Sequence, residues 1–154
     1  MKRFALLNVF PALFCIVFFT SKGLADELVT VENAKRVLAT FKVEIAKTER
    51  ERRIGLSNRN ILQKEHGLWL DFKEDAEPRL WMKDTKISLD LLFVKSTGEI
   101  VCLVLGARPY SLDIMKCEEA ARYVLEVNSG DVSRFGIKVG NYATLSRMKE
   151  DIKG

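Results

Sequence analysis

Three charged residues, Lys83, Asp90 and Glu126, stand within apolar stretches of the sequence. A charge in such a stretch is unfavourable unless it is paired or hydrogen-bonded, so these positions are the first candidates for a functional site. If they converge with the aromatic side chain of Trp81, two carboxyl groups and one ammonium group would share a pocket. Such a group of side chains can transfer protons in general acid–base chemistry.

The alternative interpretation is that each of these charges points to solvent from the outer face of a strand. Glu126 favours this alternative, because it lies opposite the strand face formed by Tyr123 and Leu125. The residue types alone therefore leave both a shared pocket and three separate surface charges open.

Asp90 is enclosed by Leu89 and Leu91, so we expect its carboxylate to be partly buried and held by a cation or by backbone N–H groups. Lys83 is the first-choice cation, because a hairpin-like return of the chain could bring it to Asp90. Arg59 is the second choice. The complete candidate pocket comprises Arg59, Trp81, Lys83, Thr85, Asp90, Pro109 and Glu126.

Metal and cofactor chemistry have little support in the residue types. His66 is the only histidine, which excludes a histidine-rich zinc or copper site. No nucleophile elbow, phosphate-binding loop or Cys–His pair is present. We therefore expect no metal and no cofactor.

Cys102 and Cys117 could form a disulfide in an oxidising compartment, closing a loop of about 15 residues and contributing roughly 3 kcal/mol. The alternative is that Cys102 is a small apolar core residue within the run Ile100–Val104. Spacing alone does not decide between these interpretations, because a disulfide also requires a specific geometry.

The first residues have the pattern of a secretory signal peptide. Lys2 and Arg3 precede an apolar stretch, and small residues stand at the −3 and −1 positions of a cut after Ala25. The apolar stretch is short for a membrane span, which needs ~20 residues. The prediction is cleavage after Ala25 and a periplasmic or secreted protein with no stable membrane span. An uncleaved anchor is the alternative.

The net charge is governed partly by this leader. The chain has 25 basic and 21 acidic residues, and removing the three basic residues of the leader lowers the net charge from +4 to +1. A nearly neutral domain has no reason to bind nucleic acid or an anionic membrane. We expect a monomer whose partner is a small ligand or an envelope protein.

Alternation of apolar and polar residues predicts several short strands. The clearest are Phe41–Ala46, Leu68–Phe72 and Tyr123–Val127. More continuous apolar runs predict strands over 79–85, 89–95, 100–105 and 142–145, with 100–105 central in a sheet or barrel wall. Residues 73–78 and 106–122 are predicted as loops.

Two short helices are also expected. Thr48 and Glu51 have the spacing of a capping box, which predicts a helix that begins after Thr48 and weakens at Gly55. Asp131 is the expected cap of a second short helix that ends at Gly136.

These elements predict an α+β, strand-dominated fold, a compact and partly closed β-barrel-like sheet with two short helices. The expected organisation is a signal peptide over 1–25, an N-terminal lead-in with one short strand over 26–40, a domain over 41–145 and a C-terminal tail over 146–154.

The block Trp81–Asp90 has the specific pattern Trp-Met-Lys-x-Thr-x-Ile-x-Leu-Asp. With further pieces in the same order, it resembles the DUF192 family (UPF0127) of small, often exported bacterial and archaeal proteins. That family has no agreed activity, so the resemblance implies a fold and shared motif residues rather than a reaction. The further pieces are Phe41–Ala46, Glu49-Arg50, Gly55-Leu56, Arg59, Gly67, Phe72, Phe93, Gly98, Ala107, Pro109, Ser111, Tyr123–Glu126, Gly130, Gly136 and Val139-Gly140.

The sequence departs from the family pattern at two positions. Ser57 stands where a Gly-Leu-Met motif has methionine, and Leu68 stands where a Gly-Met-Leu motif has methionine. A thioether copper(I) site would retain only Met82 of these family methionines, which argues against it.

The favoured function is an exported, non-catalytic binding or accessory module of the periplasm or cell envelope. The alternative is a small hydrolase-like enzyme that uses Asp90 or Glu126 with Lys83. A closed site in which these three side chains converge would favour the enzyme, and separate positions would favour the binding module.

Overall fold

The computed structural model describes residues 27–147, so the expected signal peptide over 1–25 lies outside the described residues. The described chain is built mainly from strands, with two short helices. The strands are β1 (Glu27–Glu32), β2 (Val37–Ala46), β3 (His66–Ala76), β4 (Leu89–Val94), β5 (Ile100–Ala107), β6 (Ala121–Asn128) and β7 (Tyr142–Arg147), and the helices are α1 (Glu49–Ile54) and α2 (Asp131–Phe135).

All seven strands belong to one sheet in the order β5-β4-β6-β3-β2-β1-β7. Only the β2–β3 pair is parallel among these strands, and the other neighbours are antiparallel. The sheet is not closed, but one bridge between Glu99 and Tyr142 joins the beginnings of its two edge strands. The prediction of a strand-dominated fold with two short helices is confirmed, and the term barrel-like applies only loosely.

Two apolar clusters pack on opposite faces of the sheet. The Trp69 cluster contains Trp69, Phe41 and Leu125, and the Met82 cluster contains Met82 and Leu70, each with further residues. Every residue of β4 is buried, because its alternate side chains enter the two clusters. Burial of apolar surface on both faces is the main stabilising contribution to this fold.

The prediction that residues 100–105 are central is wrong. They belong to β5, which is an edge strand that pairs along its length only with β4. Leu105 is 55% exposed as a result. An apolar run shows that a strand is hydrophobic. The place of that strand in the sheet depends on which distant strands pair with it.

Two neighbouring segments also differ from expectation. Residues 73–76 continue β3 rather than forming a loop, and their charged side chains are exposed where the strand extends beyond the core. Residues 79–85 do not form the predicted strand and make only an isolated bridge between Leu80 and Met115. Buried and exposed residues still alternate from Arg79 to Lys83, so the periodicity occurs here without a continuous partner strand.

The predicted capping box at α1 is confirmed. The Thr48 hydroxyl accepts a 3.2 Å hydrogen bond from the Glu51 N–H, and the Glu51 carboxylate accepts a 2.8 Å bond from the Thr48 N–H. The predicted cap of α2 is wrong by one residue. Gly130 is the N-cap, with φ 92°, and Asp131 is the first helical residue. Glycine is favoured there because it adopts positive φ without steric strain.

Candidate functional site

A cleft lies between α1, the segment 79–85 and the face of the sheet that carries the Met82 cluster, and we call it the α1 cleft. Its volume is about 210 Å³. A concave, largely apolar site with a few polar groups is the usual form of a small-ligand site. Its apolar lining is Ile54, Leu56, Leu70, Phe72, Leu80, Trp81, Met82 and Leu89, and its polar lining includes Glu49, Arg52, Arg53, Ser57, Arg79, Lys83, Thr85 and Glu126.

Glu126 is a buried carboxyl group in the lining of the α1 cleft. Its side chain is 8% exposed, and within residues 27–147 it makes no hydrogen bond or ion pair. Burial away from water raises the pKa of this carboxyl group to about 7, because the charged form loses its hydration. The group can therefore hold or release a proton near neutral pH.

The position of Glu126 follows from the pleat of β6. Leu125 and Val127 face the Trp69 cluster, so the intervening Glu126 faces the opposite side. Its partners in the neighbouring strands are Leu68 and Leu91, both buried and apolar. The alternative interpretation, in which Glu126 points to solvent, is therefore wrong, because this outer face is covered by α1 and the segment 79–85.

Gly67 allows the neighbouring strand to approach this part of β6. A Cβ atom on Gly67 would lie 2.7 Å from the carbonyl oxygen of Glu126, closer than a real contact permits. A glycine at this position therefore keeps β3 and β6 paired beside the cleft.

One wall of the cleft is α1, which Arg52 ties to the sheet. The Arg52 Nη1 atom donates 2.7 Å hydrogen bonds to the carbonyl oxygens of Lys47 and Asp71. Its guanidinium group also lies 4.9 Å from the centre of the Phe72 ring. After the helix, Gly55 adopts φ 49° and Leu56 turns into the Met82 cluster.

The opposite wall is the segment 79–85. Backbone hydrogen bonds of 2.9 Å from Leu80 to Met115 and from Met82 to Ser111 hold it against the loop 108–117. Leu80 and Met82 are buried, whereas Trp81 is 46% exposed and Lys83 is exposed. The alternation therefore supplies the cleft with both apolar contacts and a charged, aromatic rim.

Four of the seven predicted pocket residues line the α1 cleft, namely Trp81, Lys83, Thr85 and Glu126. Their convergence agrees with the interpretation of a shared pocket for these positions. Arg59, Asp90 and Pro109 do not line it.

Asp90 has a structural environment of its own. Its side chain is 1% exposed, and its carboxylate accepts hydrogen bonds from the N–H groups of Gly106 at 2.9 Å, Gly130 at 2.9 Å and Val132 at 3.1 Å. The expected burial is confirmed, and of the expected partners the backbone N–H groups are correct. The choice of Lys83 is wrong, because three peptide donors at the start of α2 and the end of β5 satisfy the carboxylate.

Arg59 is also unavailable to Asp90. Its two terminal nitrogens each bond Glu44 at 2.6 Å, and this bidentate contact lowers the pKa of the Glu44 carboxyl group. The pair lies beside a separate hollow lined by residues of β2 and the loop after α1. Pro109 is half-buried in the loop 108–117. The backbone N–H of the next residue, Tyr110, donates a hydrogen bond to the carbonyl oxygen of Thr85.

The sequence reasoning missed the contribution of α1, including Arg52, Arg53 and Ile54. The only indication in the sequence was that these residues lie between two motifs of the family pattern, Glu49-Arg50 and Gly55-Leu56. Nothing in that signal places the helix beside β6.

The two cysteine thiols are neighbours. Burial, together with the neighbouring Cys117 thiol, raises the pKa of Cys102 to about 12. Both are free in the structure, with Cys117 buried and Cys102 half-buried. Their proximity suits the disulfide interpretation, which stays one of the two alternatives.

Within residues 27–147, no group of three or more His, Cys, Asp or Glu residues could hold a metal ion. Over the same range, none of the helices has the length and apolar character required to cross a membrane.

Comparison with known proteins gives one family, and the similar crystal structures include two with 30% identity or more. The DUF192 family model, described as Uncharacterized ACR, matches residues 29–145. A Sinorhizobium meliloti 1021 protein, described as a candidate transcription regulator, has 35% identity and a TM-score of 0.74, covering 80% of this chain and 95% of that one. A Novosphingobium aromaticivorans DSM 12444 protein of unknown function has 30% identity and a TM-score of 0.74, covering 81% of this chain and 89% of that one. No curated protein matches the chain.

Proposed function

The chain belongs to the DUF192 family, and from that premise we propose that it is an exported, non-catalytic module that binds a small molecule in the α1 cleft. The family is uncharacterised, so the proposal rests on the site rather than on relatives. The observation that carries it is Glu126, a buried carboxyl group without a partner among residues 27–147 that lines a cleft with eight apolar side chains. A polar group in such a position is unfavourable for folding, and a ligand would supply the missing contact.

The separation of Asp90 from Glu126 supports binding over hydrolysis. A hydrolase with two carboxyl groups and a lysine needs them around one reacting centre. Asp90 is held by three peptide N–H groups and does not line the cleft. The enzymatic alternative therefore retains only Glu126 and Lys83, and the raised pKa of Glu126 is the observation that keeps it open.

Binding can be tested with the neutral apolar fluorophore N-phenyl-1-naphthylamine, whose emission rises in an apolar site. We expect saturable binding, and Trp81→Ala should weaken it about tenfold, since ~1.4 kcal/mol of aromatic contact is lost. Tyr142→Ala is the matched control, because Trp81 and Tyr142 are both 46% exposed and Tyr142 does not line the cleft. Equal weakening by both variants, or no saturable binding, would contradict the proposal. Hydrolysis of a bound ester probe that Glu126→Gln abolishes would favour the enzyme instead.

We also propose export with cleavage after Ala25, and pairing of Cys102 with Cys117 after export. Intact-mass analysis of the protein from the envelope fraction tests both. We expect a species that begins at Asp26 and is lighter by two hydrogen atoms than its reduced form. A species that begins at Met1 rules out cleavage, and a mass unchanged by reduction rules out the disulfide.

The Sinorhizobium meliloti relative is described as a candidate transcription regulator, a role that the charge of this chain does not favour. After removal of the leader the net charge is +1, which provides little attraction for a phosphate backbone.

A further inference from the structure

We infer that the ligand of the α1 cleft is a small organic acid, an inference that rests on the proposed binding function. The ligand has an apolar body and one anionic group that binds Lys83 and Arg52. Three features of the cleft carry it: the apolar lining, the cations without acidic partners among the described residues and the lack of charge on protonated Glu126.

The apolar lining accounts for the body of the ligand. Leu56, Leu70, Leu80, Met82 and Leu89 are buried and come from four different parts of the chain. Their side chains offer apolar contact to a ligand, and burial of apolar ligand surface favours binding. A cleft of about 210 Å³ suits a small molecule rather than a long lipid chain.

The charges around this lining are mainly positive. Arg53 and Arg79 are offset by carboxylates, because Arg53 pairs with Glu49 at 2.7 Å and Arg79 lies 3.4 Å from Glu77. Lys83 has no side-chain hydrogen bond or ion pair to the residues that the structure describes.

Arg52 is the second cation without an acidic partner in the described chain. Both of its hydrogen bonds to carbonyl oxygens come from Nη1, so within residues 27–147 its Nε and Nη2 donors remain for a ligand. A guanidinium group and an ammonium group in one cleft complement a carboxylate or another anionic group.

Glu126 gives the inference a definite pH dependence. The charged groups that line the cleft with it are Glu49, Arg52 and Arg53 from α1, and Arg79 and Lys83 from the segment 79–85, while the strands otherwise contribute only apolar side chains to the lining. With its proton, Glu126 adds no charge to the cleft. Without it, a buried carboxylate repels an acidic ligand in the same cavity.

Three probes with one apolar body separate the possible ligand classes: 4-phenylbutyrate, 4-phenylbutan-1-ol and 4-phenylbutylamine. Titration calorimetry at pH 6 should give the order acid, then alcohol, then amine. Between pH 6 and pH 8 the acid should lose about tenfold in affinity, because Glu126 with a pKa of about 7 ionises over that range. In Glu126→Gln this pH dependence should disappear.

Lys83→Gln should weaken the acid about fivefold and leave the alcohol unchanged, as expected for one exposed ionic contact. Lys86→Gln is the matched control, because it removes the same charge three residues away, where the Lys86 ammonium bonds Asn60 and does not line the cleft. Equal effects of the two lysine variants would overturn the role of Lys83.

The outcomes distinguish this inference from the proposed function. Binding of the alcohol as tight as that of the acid, or preference for the amine, overturns the acidic ligand and leaves a binding cleft. Failure of all three probes to bind overturns both.

Discussion

Asp90→Ala is expected to destabilise the protein by about 2–4 kcal/mol, the cost of leaving buried hydrogen-bonding groups without a partner. The variant removes the acceptor of the N–H groups of Gly106, Gly130 and Val132 at once. Water has poor access to replace it, because Asp90 is 1% exposed. Denaturant unfolding of wild type and variant measures the difference.

The matched control for this experiment is Asp113→Ala. The Asp113 side chain is 81% exposed, and among residues 27–147 its carboxylate bonds only Arg108 and Ser111 in the same loop, so its loss should change stability by less than about 0.5 kcal/mol. A near-zero effect of Asp90→Ala would mean that the three peptide donors find other partners, and the structural role assigned to Asp90 would be wrong.

Glu126→Gln is expected to stabilise the protein above neutral pH, an unusual direction for a change at a buried position. The carboxyl group titrates near 4.5 in the unfolded chain, and its pKa rises to about 7 in the folded protein. The folded state therefore retains the proton more tightly, and the stability that this provides is fully present below pH 4.5. It is lost as the pH rises through 7, because ionisation then has to occur within the buried site.

The glutamine amide introduced by Glu126→Gln has the shape of the carboxyl group without this titration. The stability of the variant relative to wild type should therefore rise by up to ~3 kcal/mol from pH 4.5 to pH 8, measured by denaturant unfolding at each pH. Glu74→Gln is the control, because Glu74 is exposed on β3 and its replacement should give a nearly constant difference. Parallel stability curves for wild type and Glu126→Gln would contradict the prediction.

The two carboxyl groups illustrate the limit of reasoning from the chain alone. Both stand among apolar neighbours, and the sequence predicts burial for Asp90 but leaves a shared pocket and solvent exposure both open for Glu126. Asp90 is indeed buried, but its donors come from residues 16 to 42 positions further along the chain. Glu126 is buried because other segments cover the face on which it lies, and the alternation of β6 specifies only that it faces away from Leu125.

The site residues divide in the same way. The block that begins at Trp81 was identified from its local pattern, and Trp81, Lys83 and Thr85 do line the cleft. Arg52 was not identified, because an arginine in a short charged helix looks like a solvent-exposed residue until the helix is placed against β3. Asp90 belongs to the same block, yet it points to the start of α2.

Residue order alone was enough to predict the family, most of the strands and the capping box of α1, because these depend on patterns over a few positions. Three features were decided only by the folded protein, because the sequence left them open or predicted them wrongly: β5 is an edge strand, Glu126 is enclosed in a cleft, and Asp90 is satisfied by peptide N–H groups rather than by a cation. Each of these depends on contacts between segments far apart in the chain. Hydrophobic burial drives such contacts without direction, so the local pattern does not specify which segments meet.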